Sequence, residues 1–479
     1  MATNLSNSRT LELGRQMHAL AAELYPICRS VTGPGVRQTL AHLTKLILLE
    51  IFEVPSGTKV FDWEVPREWT IRDAYIKDQS GHRIVDFQQL NLHVVGYSVP
   101  VRRAMSWSEL KPRLHYLPNN PDWVPYRTSF SKEDWGFCLS YRQFLELNAL
   151  DERSYEVCID SSLEQGSLTY GEVFIPGKTD DEVLISTHIC HPSLANDNLS
   201  GISVATFLIQ ELQRRKTRYS YRFLFIPATF GSVTWLYQNR DHVSRVKHGW
   251  VLTGMGDAAG FTYKRSRRGN AEVDRAFACV LRGTDKPSTL VDFDPFGYDE
   301  RQFCSPGFNL PMGCFMRTPN GRYPEYHTSA DNLSFIHPES LGNSWSTCLQ
   351  VIDLLEGNQR YVNQQPFCEP RLAPRGLHTA FGMGDDARQI QKAISWVLNL
   401  CDGNHTLLDI AERTGLPFAT IAQAAELLRE HELLASADAR PDLCHSERRE
   451  ESVLPAREIL RCAKNDEFDT DIKLQSILN

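Results

Sequence analysis

Twelve cysteines are scattered over 479 residues without a single Cys-x-x-Cys spacing. That pattern excludes a zinc knuckle and gives no disulfide framework, so the thiols read as reduced and mostly buried. The N-terminus, Met-Ala-Thr-Asn-Leu-Ser-Asn, has neither the basic region nor the apolar stretch of a secretory leader. No window approaches the roughly 20 apolar residues that cross a bilayer. Positive charge is not in excess: 51 Lys and Arg stand against 59 Asp and Glu, a net charge of -8. With a pI near 6.0 this argues against a general nucleic-acid binder. These absences predict a soluble, cytoplasmic chain with no membrane or nucleic-acid partner.

What is present is ample core-forming material, 42% hydrophobic and 10% aromatic, and the length of 479 residues suggests about three domains. The informative stretch is 183–202. Val183 to Ile185 is a short apolar run of the kind that makes a buried strand. His188, Cys190 and His191 follow, then a Pro-Ser turn, Asn196-Asp197-Asn198 and the start of an amphipathic helix. A strand, a polar loop and a helix start is where open α/β sheets keep their chemistry. An imidazole and a carboxylate in that loop, His188 and Asp197, are suited to Zn²⁺. Asp197 alone would read as a helix cap and His188 alone as a strand end.

In chain order, an amphipathic helix over 9–25 is broken by Arg29-Ser-Val-Thr-Gly-Pro-Gly, and Gln38 to Ile51 reads as a second helix. Short β runs from Trp63, Ala74, Arg83 and Leu92 predict a small inserted β domain over 57–150 between two parts of the main domain, 1–56 and 151–361. Tyr155 to Asp160, Tyr170 to Ile175, Tyr221 to Ile226 and Gly249 to Asp257 read as strands of the main layer. Alternating strands and helices imply an α/β fold with a doubly wound, mostly parallel sheet. Residues 362–384 read as a linker. Helices over Arg388–Leu400, Leu407–Arg413 and Ile421–Leu434 make 385–438 a winged-helix domain, with starts at Thr406 and Pro417. Its last helix sets Arg429 against Glu426, Glu430 and Glu432, which points to protein contact or homo-oligomerisation over DNA reading. Residues 439–479 carry dense mixed charge without apolar period. They resemble the translation of a dispersed bacterial intergenic repeat, and read as a disordered tail in which Cys444 and His445 are no metal site.

Ala195-Asn-Asp-Asn-Leu-Ser-Gly201 resembles the Ala-Asn-Asp-Asn-x-Ser-Gly signature of the zinc aminopeptidase superfamily, which includes glutaminyl cyclases. From Arg29 to about residue 435 the chain is similar to a bacterial family of polysaccharide-biosynthesis proteins with an aminopeptidase-like domain followed by a winged helix. The resemblance implies a metal site with His188 as first ligand, Asp197 as bridging ligand and His327, in His327-Thr-Ser-Ala-Asp331, as last. It also implies a further ligand near Asp257. Asp299 and Glu300 resemble an acidic motif lining the superfamily pocket, or form a surface turn paired with Arg301. An extended Tyr323–Thr328 puts Glu325 on the same face as His327. Arg265 and Arg267 are a solvated edge, or a pair binding a substrate carboxylate or phosphate.

The departures bear on mechanism. Tyr219 to Asn239 contains no glutamate, and Ala228 stands nearest the place of the superfamily's general base and second-metal ligand. Cys190 replaces the carboxylate usual two residues after the first histidine. The resemblance then implies about one zinc per chain, with Glu300 or Glu325 as base. Two readings follow: a zinc-dependent hydrolase of an amide, peptide or sugar-linked substrate in polysaccharide or cell-surface precursor metabolism, or a catalytically impaired metal-binding scaffold.

Overall fold

A computed structural model of the chain describes residues 7–149, 154–284, 287–377 and 385–437. All of these belong to one compact unit that ends at Ala437. The tail expected over 439–479, with Cys444 and His445, lies outside the described residues.

The unit is built on an eight-stranded sheet. Its strands are β1 (Glu50–Pro55), β2 (Ser167–Ile175), β3 (Glu182–His188), β4 (Ser220–Ile226), β5 (Val246–Leu252), β6 (Phe261–Lys264), β7 (Ser288–Val291) and β8 (Met312–Met316). Their spatial order is β1-β2-β4-β3-β5-β8-β6-β7. The centre is parallel, β3 pairing with β4 and β5, and β5 with β8. The flanking pairs β1/β2, β2/β4 and β6/β8 are antiparallel. Every residue of β3 is buried, as a strand covered on both faces requires. Val183 and Ile185 pack into one core and Leu184 into the other, so the period-2 alternation of the strand feeds both layers. Helices Asn7–Leu24, Ser200–Leu212, Glu272–Arg282 and Pro338–Gly357 cover the first face, and helix Phe230–Gln238 the second. Each fully buried aliphatic or aromatic side chain in these layers contributes about 1.5–3 kcal/mol.

Two expectations fail at the sheet's margins. The second helix stops at Leu43, and Glu50–Pro55 is strand β1 in place of a helix end, paired with β2. Tyr155 to Asp160 does not join the main sheet. It starts a strand, Tyr155–Glu164, that pairs with Glu68–Lys77 and Val101–Met105 in a separate four-stranded sheet. That sheet therefore reaches beyond residue 150. The Leu92–Ser98 run is no strand either, but a short 3-10 turn over Asn91–His93 and two isolated bridges, Val94 with Phe137 and Gly96 with Thr128.

The C-terminal helices run Asp385–Leu400, Leu407–Thr414 and Phe418–Glu430. Thr406 opens the second with a capping box: its hydroxyl accepts from Asp409 N at 3.2 Å and Asp409 Oδ2 accepts from Thr406 N at 2.7 Å. Gly415 closes it at φ 70, the left-handed position glycine suits. Strand Arg360–Asn363 completes the wing by pairing with Asp402–Thr406 and Leu434–Ser436, so the predicted linker begins inside this domain's sheet. Arg275, on helix Glu272–Arg282, binds Asp409 and Glu412 and fastens the second of these helices to the layer over the main sheet. No described helix is long and apolar enough to cross a membrane.

Candidate metal centre

β3 is the strand that delivers the site. At its end His188 Nε2 lies 2.7 Å from Asp197 Oδ1. The ring is held behind by Tyr298, stacked at 5.4 Å, and Asn198 Nδ2 lies 3.4 Å from its Nδ1. Three residues on, the chain turns at Pro192 and brings His191 Nε2 to 3.7 Å from Asp197 Oδ2. From the far side His327 Nε2 reaches the same Oδ2 at 3.0 Å. A fully buried carboxylate is thus ringed by three imidazoles. The side chains of His188, His191 and His327 are 2%, 15% and 33% exposed, so the cage opens at His327.

The backbone that places Asp197 is fixed by Asp331. Asp331 Oδ1 accepts from Asn196 N at 2.6 Å and Oδ2 from Asp197 N at 3.0 Å, while its carbonyl accepts from Ala195 N. The last residue of His327-Thr-Ser-Ala-Asp331 therefore ties the loop of one candidate ligand to the loop of another. Burial pushes the Asp331 carboxyl up to about 8. His327 lies on a turn with φ 55, so Tyr323–Thr328 is not extended as expected. Its carbonyl accepts from Tyr126 N at 2.8 Å, and the Tyr126 ring meets His191 and His327 edge-on at 5.4 and 5.1 Å.

Charge within the cage suits a cation. Burial alone would raise the Asp197 pKa, but the imidazoles of His191, His188 and His327 outweigh it and hold the carboxyl well below the usual range. Burial, with His188, His327 and Arg29 nearby, pushes His191 down to about 3 despite Asp197. An ionised carboxylate beside a neutral imidazole is the protonation state a metal requires. The donor atoms of His188, His191 and Asp197 lie within 4.8 Å of one another, close to the span of an ion roughly 2.0–2.2 Å from each. These three residues therefore fit a zinc ion, and His327 stands beside them at 3.0 Å from Asp197 Oδ2.

His191 is the residue sequence reasoning left without a role. Only its spacing from His188 hinted at it; the turn at Pro192 and a clamp from Arg29 decide its direction. Arg29, 2% exposed, donates to the carbonyls of His191, Pro192 and Leu24 at 2.8, 3.1 and 2.7 Å. Behind His191, the Cys190 thiol stands 3.7 Å from Nδ1. Burial pushes that thiol up to about 12, so it is a weak neutral partner where a carboxylate would orient the ring.

Other predicted site residues fall elsewhere. Asp257 accepts from Asn196 Nδ2, Ala259 N and the backbone and hydroxyl of Thr318, which makes it a brace for the Asn196 loop and not a member of the cage. Glu300 is fully buried and paired with Lys264, which also binds the carbonyls of Asp294 and Phe296, so its carboxylate is engaged in anchoring the 292–299 loop. Glu325 is part of the turn, its carbonyl accepting from Thr328, so the shared face with His327 does not form. Arg265 pairs with Asp292 and Arg267 with Asn309, and neither is among the residues that line the cavity at His191 and His327. Asp299 is the exception. It is buried, accepts from Ser232 Oγ at 3.0 Å, and burial pushes it up to about 6 against the pull of His188.

Beside the cage lies a cavity of about 200 Å³. His191, His327, Arg29, Cys190 and Ala228 line it, together with Trp69, Asn91, Tyr97, Tyr126 and Phe130 from the 57–150 stretch.

A model of the domain of unknown function DUF4910 matches residues 18–358, and a winged helix-turn-helix model matches 359–436. A Clostridium acetobutylicum protein named for polysaccharide biosynthesis and an aminopeptidase-like domain is 50% identical over 423 residues, 88% of this chain and 96% of its own. A crystal structure from Clostridium acetobutylicum, described as that of a peptidase, superposes with a TM-score of 0.85 at 48% identity, over 90% of this chain and 98% of the other. BSAP, a zinc aminopeptidase from Bacillus subtilis, superposes at 0.51 with 12% identity, over 71% and 94% of the two chains, a likeness of fold alone. The sheet and its helices thus have the aminopeptidase-like fold. With one family model spanning most of its length and a near full-length relative sharing half of its residues, the chain belongs to the DUF4910 family, carrying a winged helix-turn-helix at its C-terminal side.

Proposed function

We propose that the chain is a zinc-dependent hydrolase of an amide bond. The observation that carries this reading is the buried Asp197 ringed by His188, His191 and His327, open on one side toward a cavity. These residues would hold one zinc. Zinc there supplies a Lewis acid for a carbonyl oxygen and acidifies water near neutral pH. The chain's own part is to orient and to move a proton. Tyr298 and Asn198 fix the His188 ring, Arg29 fixes the His191 backbone, and Asp331 fixes Asp197. Asp299, buried, bound to Ser232 and within the electrostatic reach of His188, is the carboxyl we assign as proton acceptor in place of Glu300 and Glu325. A buried carboxyl raised toward neutrality suits that work, which is typically worth about 10²–10⁴-fold.

The relative's name favours an amide in a polysaccharide or cell-surface precursor as the substrate class. The ten described free cysteines favour a reducing, cytoplasmic setting. For the winged helix we infer a protein-contact role, because helix Phe418–Glu430 exposes Glu426 and Glu430 and ties Arg429 to Glu426. Ala228 in the cavity lining supports a second reading, a metal-binding scaffold without turnover. The deciding experiment is elemental analysis followed by a panel of amide substrates. Turnover that is lost with chelator and with Asp299→Asn supports the hydrolase. Bound zinc with no turnover on any amide leaves the scaffold.

A further inference from the structure

The cavity beside the cage has an unusual charge make-up. Among the described residues lining it there is no aspartate or glutamate, and Arg29 is the one permanently charged side chain. Arg29 is buried, and its partners are the carbonyls of Leu24, His191 and Pro192 with the Thr39 hydroxyl. Its positive charge is thus hydrogen-bonded but not neutralised. Neither Asp197 nor Asp299 is among the residues that line the cavity. Asp197 is enclosed by three imidazoles, and Asp299 is 2% exposed and bound to Ser232. Ala228, also in the lining, carries no charge.

A free amino terminus entering this space would bring a second cation beside a buried guanidinium, with no anion to meet it. An unpaired charge in a low-dielectric site is strongly disfavoured, and like charges add to the cost. An acylated nitrogen carries no charge and escapes both penalties. The walls suit an uncharged group. Trp69 and Tyr97 stack at 5.8 Å, the Tyr97 hydroxyl is held by Thr32 at 2.6 Å, and Phe130 is 44% exposed at the rim. Aromatic faces of this kind take acyl chains, rings and the C–H faces of sugars.

We infer that the site takes an N-acylated amide, seated against Trp69, Tyr97, Tyr126 and Phe130, and discriminates against substrates with a free amino terminus. This rests on the hydrolase reading and names its substrate class. In the reaction water adds across the amide: the C–N bond breaks, the water oxygen bonds to the acyl carbon, and the leaving nitrogen takes a proton. The products are a carboxylic acid and an amine.

The test uses the full chain loaded with zinc at neutral pH, and two compounds, phenylalanine 4-nitroanilide and its N-acetyl derivative. Binding is followed by tryptophan fluorescence and hydrolysis by mass spectrometry. The acetylated compound is expected to bind at least about tenfold more tightly. Ala228→Glu, which adds a carboxylate to the lining, and Thr128→Asp, which adds one at an exposed position of it, should each narrow or reverse that preference. If Ala228→Glu does not fold, Thr128→Asp decides. Equal or tighter binding of the free amine overturns the inference, as does binding of neither compound or an unchanged ratio in the folded variants. Preferential cleavage of the free amine would overturn it while leaving the hydrolase intact. Preferential binding of the acetylated compound with no cleavage of either would uphold the selectivity and remove the hydrolase.

Discussion

Arg29 Nε donates to the carbonyl of His191 at 2.8 Å, across 162 positions of sequence, and one of its terminal nitrogens donates to the next carbonyl along. The Arg-Ser-Val-Thr-Gly segment, which as sequence reads as a turn between helices, is therefore a bracket for the loop carrying a candidate ligand. Lysine cannot reproduce three diverging bonds from one planar group. Arg29→Lys is expected to lose about 2–4 kcal/mol of stability, because buried carbonyls lose their donors. Urea denaturation checks this, and a loss under 0.5 kcal/mol, on the order of a neutral surface change, would refute it.

Zinc content should be about one per chain, since the cage offers one set of donors. His327→Ala and His191→Ala should each lower the metal retained after dialysis against a weak chelator. Retention equal to the parent in His191→Ala would show that this imidazole, the one missed in the sequence, is not a ligand.

The metal-free protein should carry a pH signature from Asp331. Its folded-state pKa is raised to about 8 by burial, above the unfolded value, so the folded state holds the proton more tightly. Stability from this carboxyl is present at lower pH and is lost as pH rises toward 8. Below about 6.5 the buried His191 and His248, both pushed down to about 3 by burial, act in the opposite sense as the unfolded chain takes up their protons. The window to measure is therefore between about pH 6.5 and 8.5. Over that range the melting temperature of the chelated parent should fall with rising pH, and Asp331→Asn should flatten the slope. Parallel slopes would show that the carboxyl is already ionised.

The winged helix should not bind DNA at physiological salt, because its exposed last helix offers two glutamates and an arginine already paired. A gel-shift titration of the full chain giving submicromolar, salt-sensitive binding would reverse this.

Much of the scaffold was legible because parallel core strands announce themselves: Val183–Ile185 and Phe223–Ile226 are apolar runs too short for helices, each bounded by turn residues. The motif around Asp197 likewise marked its loop. What escaped depends on partners distant in sequence. Tyr155–Glu164 alternates like any strand, and nothing local says that Glu68–Lys77 will claim it. Leu46 to Ile51 has apolar spacing that a helix would use, yet β2 recruits Glu50–Pro55 as an edge strand. Glu300 and Asp299 are adjacent in sequence but turn to opposite duties, one to Lys264 and one to Ser232. Only the packed chain separates them.

The hydrogen bond from Tyr126 to the His327 carbonyl bears on how this polypeptide can be divided. Tyr126 comes from the inserted region, yet its amide fixes a candidate ligand's turn, and Val124 and Ser329 exchange two further bonds beside it. The 57–150 stretch is therefore tied directly to the turn that carries His327. Excising it would remove part of the lining of the cavity and release the His327 turn in the same cut, so this stretch and the candidate site stand or fall together.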